Sequence, residues 1–219
     1  MMVGLSENTM HAYSERGNDL NQTPDCATEA LIKAEQLPDK IWEPACGPGA
    51  IARVLKRYGH TVFCSDLIDY GYDDALGGRD FLFEFDPPDV DAIVTNPPFK
   101  MANDFVRHAI RLVPRVYMLL RLSYLEGVRR SDILDSGQLA RVYVFRDRLP
   151  MMHREGYEGP KVEKSRVPFA WFVWDNDYAG PTFVHRISAD APEVKRHRKS
   201  KPKCVKQIDF KDMLLREVV

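Results

Sequence analysis

At 219 residues, 44% hydrophobic and 29% charged, the chain suits one larger globular domain rather than a fibrous, disordered or disulfide-rich class. No apolar run nears the ~20 residues of a membrane span, and the start MMVGLSENTMHAYSERGNDL lacks a secretory signal's basic and apolar regions, so a cytoplasmic location is expected. The net charge is −1, and Cys26, Cys46, Cys64 and Cys204 show neither CxxC nor paired-His spacing, so no disulfide framework and no metal site is expected.

The first predicted element is a helix over Asp25–Gln36, with Thr23 as its N-cap and Pro24 at its first turn. A short strand around Ile41–Trp42 follows, then a tight turn over Gly47–Gly49 and a helix over Ala50–Tyr58 with Ile51, Val54 and Leu55 on one face. Thr61–Ser65 and Asp91–Thr95 are strands, short and apolar in the manner of buried parallel strands. Met101–Leu112 is predicted helical, Arg115–Leu120 a strand and Glu126–Leu134 a helix. Arg141–Phe145 and Phe169–Trp174 are two more strands, separated by the long polar stretch Arg148–Val167, whose length marks a functional or mobile loop. Repeated strand–helix units predict a doubly wound, mostly parallel α/β sheet that closes with an antiparallel hairpin.

At the chain's end, residues 195–206 (KRHRKSKPKCVK) carry seven Lys or Arg and no acid. Residues 207–219 stand at −1, which leaves −7 on residues 1–194. An acidic body with a basic arm suits an arm that meets a polyanion, with a solvated tail as the plain alternative. The expected division is a domain over 1–190 and a basic arm and tail over 191–219.

Two stretches carry chemistry. The first, Glu43-Pro-Ala-Cys-Gly-Pro-Gly-Ala50, sits where a strand turns into a helix. Its glycines allow a sharp turn and close approach of a ligand, and the helix start presents free N–H groups. Asp66 lies 19 residues after Gly47, where such folds put a carboxylate on ribose hydroxyls. The third glycine of a dinucleotide fingerprint is missing, and Glu43 adds a negative charge before the turn. That charge serves a pyrophosphate badly and a sulfonium with an α-amino group well, which favours S-adenosylmethionine over NAD.

The second stretch is Asn96-Pro-Pro-Phe99, at the carboxyl end of the DAIVT strand, where ligands of such sheets bind. An exocyclic amine on a base is a poor nucleophile because its lone pair is delocalised into the ring. The Asn96 side-chain oxygen and the Pro97 carbonyl can accept its two hydrogens and favour sp³ character as attack begins. Phe99 offers a flat face for an extruded base. A proline-rich turn with a buried Phe is the plain alternative.

With these motifs in place, residues 11–174 resemble the N6-adenine class of amino-methyltransferases, cofactor motifs first and NPPF after. The resemblance is to the compact phage- and prophage-type DNA adenine methylases, whose stretches NPPFKMANDFVRHA, LLRLSYLEG and AWFVW occur here in order. It implies a Rossmann-like, mostly parallel seven-stranded sheet with a C-terminal antiparallel hairpin, and S-adenosyl-L-methionine as cofactor. Thr23 and Pro24 would meet the methionine end of the cofactor. Glu43, Ala45, Cys46, Gly47 and Gly49 would form the cofactor loop, Asp66 with Leu67 would hold the ribose, and Asp80 and Phe81 in GRDF would read the cofactor adenine. Asn96, Pro97, Pro98 and Phe99 would be the catalytic tetrapeptide. The chain departs from the family in reading EPACGPG where F-x-G-x-G is common, and no segment is long enough for a separate target-recognition domain.

DNA is the expected partner, with RNA as an alternative and no membrane. Arg148, Arg154, Lys161, Lys164 and Arg166, then Lys195, Arg196, Arg198 and Lys199, are the candidate phosphate contacts. An RNA base amine, cytosine N4 or a protein glutamine amide presents the same planar amine to the same acceptors. A non-catalytic nucleic-acid-binding protein is the alternative of another class.

Overall fold

A computed structural model describes residues 20–151 and 167–189. The chain enters at helix α1 (Asp25–Ala34) and strand β1 (Lys40–Glu43), then runs through α2 (Ala50–Arg57), β2 (Thr61–Ser65) and the two-residue β3 (Ala75–Leu76). A 3₁₀ turn over Phe81–Phe83 leads to β4 (Ala92–Thr95), α3 (Ala102–Leu112) and β5 (Arg115–Arg121). Beyond them come a one-turn α4 (Ser131–Leu134), β6 (Leu139–Phe145), β7 (Phe169–Asp175) and β8 (Phe183–Ile187).

The strands make one mixed sheet in the order β3-β2-β1-β4-β5-β7-β6-β8. The run β3 to β5 is parallel, β7 is antiparallel to both neighbours, and β8 lies parallel to β6. The sheet thus has eight strands where seven were expected. The expected hairpin is there, but its second strand inserts between β5 and β6. Seven pairs from Arg115↔Asp175 to Arg121↔Phe169 fix that insertion.

Both sheet faces are covered, which is why the central strands read as unbroken apolar runs. Along β7, Phe169, Trp171 and Val173 pack with α1 and α2, whereas Ala170, Phe172 and Trp174 pack with α3. The buried indoles keep their N–H groups satisfied: Trp171 donates to the Ala27 carbonyl at 2.8 Å and Trp174 to the Ile133 carbonyl at 2.9 Å.

The expected helix over Glu126–Leu134 is instead one 3₁₀ turn over Val128–Arg130 and the single turn of α4. Gly127 at φ 104° breaks the helical path. Arg130 then folds back to donate to the carbonyls of Ser123, Tyr124 and Glu126.

β1 feeds strands towards one edge and β4 begins the other half, so the order reverses between them. The crevice at the carboxyl ends of β1 and β4 is therefore where a ligand of this fold would bind. The EPACGPG turn leaves β1 there, and NPPF leaves β4.

Candidate functional site

That crevice holds a cavity of about 250 Å³, the size class of a small-molecule site rather than of a buried water. Of the residues read from sequence, Thr23, Glu43, Ala45, Cys46, Gly47, Asp66, Leu67, Asp80, Phe81, Asn96 and Pro98 line it. Residues separated by up to 75 positions thus meet on one surface.

Four expected residues do not line it. Pro24 is the N-cap of α1, and Thr23, expected to cap that helix, does not: α1 has no side-chain cap. Gly49 has φ 81°, and a Cβ there would sit 2.6 Å from the Tyr72 ring, so its constraint comes from Tyr72 and the backbone. Pro97 is buried. Phe99 packs on the α1-side core, 5.9 Å from Phe169.

The geometry around Asn96 is the most specific feature. Its Nδ2 donates to the Asn21 carbonyl at 2.9 Å and to the Thr23 hydroxyl at 3.1 Å. A flipped amide would set two oxygens face to face at Asn21, so this orientation is fixed. Asn96 Oδ1 is left buried with no hydrogen-bond partner among the described residues. An orphaned acceptor in a cavity wall is costly unless a ligand N–H reaches it.

Glu43 carries a second orphan. Its side chain is buried, Oε2 has no partner among the described residues, and burial pushes its carboxyl well above the usual range, partly opposed by a hydrogen bond from the Ala52 backbone. A carboxylate in such a wall suits a cationic ligand group. Nearby, Asp66 accepts from the Gly47 N–H at 2.8 Å and the Ile68 N–H at 3.0 Å, tying the β1 turn to the end of β2. Burial raises its carboxyl too, against those backbone bonds. Asp80 accepts from the Leu82 N–H at 3.1 Å and so caps the 3₁₀ turn, holding Phe81 against Trp42 and Phe105.

Glu43 yields a prediction with a defined sign. An acid whose folded value lies above its unfolded 4.5 makes the fold lose stability as pH climbs from about 4.5 towards the folded value. Glu43→Gln should therefore melt at a higher temperature than wild type at pH 8 and near the same temperature at pH 4, by calorimetry. It should also bind a cationic ligand of the cavity about tenfold more weakly, the low end for a hydrogen bond to a charged group. A lower melting temperature at pH 8 would mean that the carboxylate is already paired.

Leu20, Asn21 and Gln22 also line the cavity, and no spacing signalled them. Arg79, Tyr70, Lys100, Met101 and Phe105 join them. Arg148, an expected phosphate contact, is exposed just beyond β6. Arg154, Lys161, Lys164, Arg166, Lys195, Arg196, Arg198 and Lys199 lie outside the described residues, as does the proposed arm over 191–219. No helix among the described residues is long and apolar enough to cross a membrane.

No protein-family model and no curated protein matches the chain. Among solved structures it is similar to a protein described as the modification subunit of a type I restriction enzyme from Vibrio vulnificus YJ016. That match has 14% identity and a TM-score of 0.51, and it covers 79% of this chain and 48% of that one. A component of a type I restriction–modification system matches at 16% identity and TM-score 0.52, over 75% of this chain and 44% of its own. A protein described as a hemolysin from Lactococcus lactis matches at 10% identity and TM-score 0.50, over 72% and 89%. The chain spans about half the length of the first two. At these identities the likeness is one of fold, and the fold is the mixed α/β, Rossmann-like sheet.

Proposed function

We propose that the chain binds S-adenosylmethionine in the β1–β4 crevice and methylates an exocyclic amine, N6 of adenine in DNA. The observation that carries this reading is Asn96, an amide clamped by its nitrogen with its oxygen buried in the cavity wall and unmatched among the described residues. The cofactor supplies an activated methyl group, and the residues fit it. Glu43 would face the α-amino group and sulfonium, Asp66 with Leu67 the ribose, and Asp80 with Phe81 the adenine.

This chain's part in catalysis is to orient and polarise the acceptor. Asn96 Oδ1 accepts one hydrogen of the incoming amine and pulls electron density onto its nitrogen. Held there, the cofactor would give its methyl group to that nitrogen, its sulfur keeping the electron pair of the carbon–sulfur bond. The ammonium proton then leaves to solvent, so no general base is needed. The Pro97 carbonyl would accept the amine's other hydrogen. Phe99, outside the cofactor cavity, would carry the flipped base.

Arg121 at the end of β5, with Arg146 and Arg148 just past the end of β6, is exposed at the same end of the sheet, which favours a polyanionic substrate. Deleting residues 195–206 is expected to flatten the slope of log affinity against log salt, by about 0.9 for each duplex phosphate the arm neutralises. Turnover at saturating DNA should hardly change. An unaltered salt slope would make the arm a solvated tail.

The deciding experiment is incubation with labelled donor and unmethylated DNA, RNA and a glutamine peptide, followed by mass spectrometry of the nucleosides and the peptide. N6-methyladenine from DNA alone is expected. Label on cytosine, RNA or the peptide would replace the substrate, and a protein that binds the donor but labels nothing would remove the activity.

A further inference from the structure

We propose that Arg121 is a removable cover on the Phe99 ring, drawn off by the phosphates of an incoming strand so that the target base can stack in its place. The proposal rests on the nucleic-acid reading above and adds a residue that separates polymer from free nucleoside.

The placement follows from the sheet. β4 and β5 run parallel with Thr95 opposite Met118, so Phe99 and Arg121 leave adjacent strand ends side by side. Tyr117 and Leu119 belong to the α1-side core, and Arg121, two residues on, emerges over the same face. Its cross-strand partner is Phe169, the neighbour of Phe99. The Arg121 guanidinium carbon lies 4.3 Å from the Phe99 ring centroid.

Phe99 packs towards Phe169 in the core, so a guanidinium and a base compete for the side of the ring left open. Arg121 is also exposed, and no carboxylate holds it among the described residues, whereas Arg107 is bound to Asp132 and Arg141 to Glu35. A cation parked on a ring is released readily when an oxyanion approaches. Phosphate offers a charged, bidentate acceptor, which outweighs a solvent-exposed aromatic face. A strand supplies the base and the phosphate together. A free nucleoside supplies only the base and must compete with the guanidinium. The cover thus couples the opening of the base site to the presence of a sugar–phosphate backbone.

The test uses the full chain carrying Phe99→Trp as a reporter, titrated with mixed-sequence duplex DNA at low salt. Binding is followed separately by anisotropy of labelled DNA, and the signal of the native tryptophans is subtracted using the wild-type chain. Emission from the introduced indole should change as DNA saturates the protein, and Arg121→Ala added to the reporter should shift the emission already without DNA, because the ring is then uncovered from the start. In the chain with its native Phe99, Arg121→Ala should raise KM for DNA about tenfold, leave kcat within about twofold, and lower KM for 2′-deoxyadenosine. This second arm stands even if the reporter fails to fold.

DNA bound with silent reporter emission would overturn the cover, and so would the same DNA-free emission with and without Arg121. A drop in kcat with KM unchanged would overturn it as well, because Arg121 would then act on the reacting amine. A responding reporter in a protein that transfers no methyl group to DNA would uphold the cover and remove the substrate reading. Failure to bind DNA at all would overturn both.

Discussion

Asn96→Ala is expected to lower turnover at least about a hundred-fold while S-adenosylmethionine affinity stays within about twofold, since a preorganised acceptor typically contributes ~2.7–4 kcal/mol in the transition state. The split between rate and affinity follows from the geometry. The amide nitrogen is spent on Asn21 and Thr23, so the group left to act is the oxygen, which faces the amine and not the donor. Asn96→Asp separates this from simple loss of volume. It keeps an oxygen in the acceptor position but sets a second one against the Asn21 carbonyl, where the nitrogen had donated. That variant should be as inactive as the alanine one and less stable. Turnover above half of wild type in Asn96→Ala, by transfer of labelled methyl to DNA, would sink the catalytic role.

Asn96 and the groups that clamp it differ in how far residue type betrays them. Asn96 itself was legible because NPPF follows a short apolar strand and the chemistry of an amine demands an acceptor. Its clamp was not, because Asn21 contributes a backbone carbonyl, which leaves no trace in residue type. Thr23 before Pro reads as a helix cap, which it is not; its hydroxyl accepts from an amide 73 positions away in the wall of the cavity.

The fold divides in the same way. β1, β2, β4, β5 and β7 were legible as apolar runs, because strands covered on both faces must be hydrophobic throughout. β3 is two residues long, too short for any periodicity. β8 is mostly exposed and carries FVHRI, which has neither alternation nor an apolar run. The insertion of β7 between β5 and β6 is a matter of long-range pairing, on which local pattern bears little. Gly49 is a further case: its position in a glycine turn suggested a ligand contact, but the steric demand at that site comes from Tyr72, 23 residues on.

Asp66 links the two motifs, and Asp66→Ala is expected to lose both stability and cofactor affinity. The Asp66 carboxylate accepts the Gly47 and Ile68 N–H groups, one on each oxygen, so it holds the β1 turn against the end of β2 before any ligand arrives. Removing it strands two partly buried donors, at ~1–3 kcal/mol for each unsatisfied group. For a chain of this size a loss of ~2–4 kcal/mol lowers Tm by roughly 5–15 °C, measured by calorimetry without ligand. The carboxylate oxygens keep lone pairs free for ribose hydroxyls, and losing a hydrogen bond to a charged acceptor costs a further ~1.5–3 kcal/mol in S-adenosylmethionine binding. Asp66→Asn separates the two roles. Its amide oxygen can keep one backbone bond, while its nitrogen meets an N–H and repels it, so about half the stability loss should remain. The charge is gone, so the binding loss should approach that of Asp66→Ala. Titration calorimetry on both variants, well below their melting temperatures, reads the second effect apart from the first. Full affinity in either variant would mean that Asp66 only braces the loop, and that the ribose is held elsewhere in the cavity.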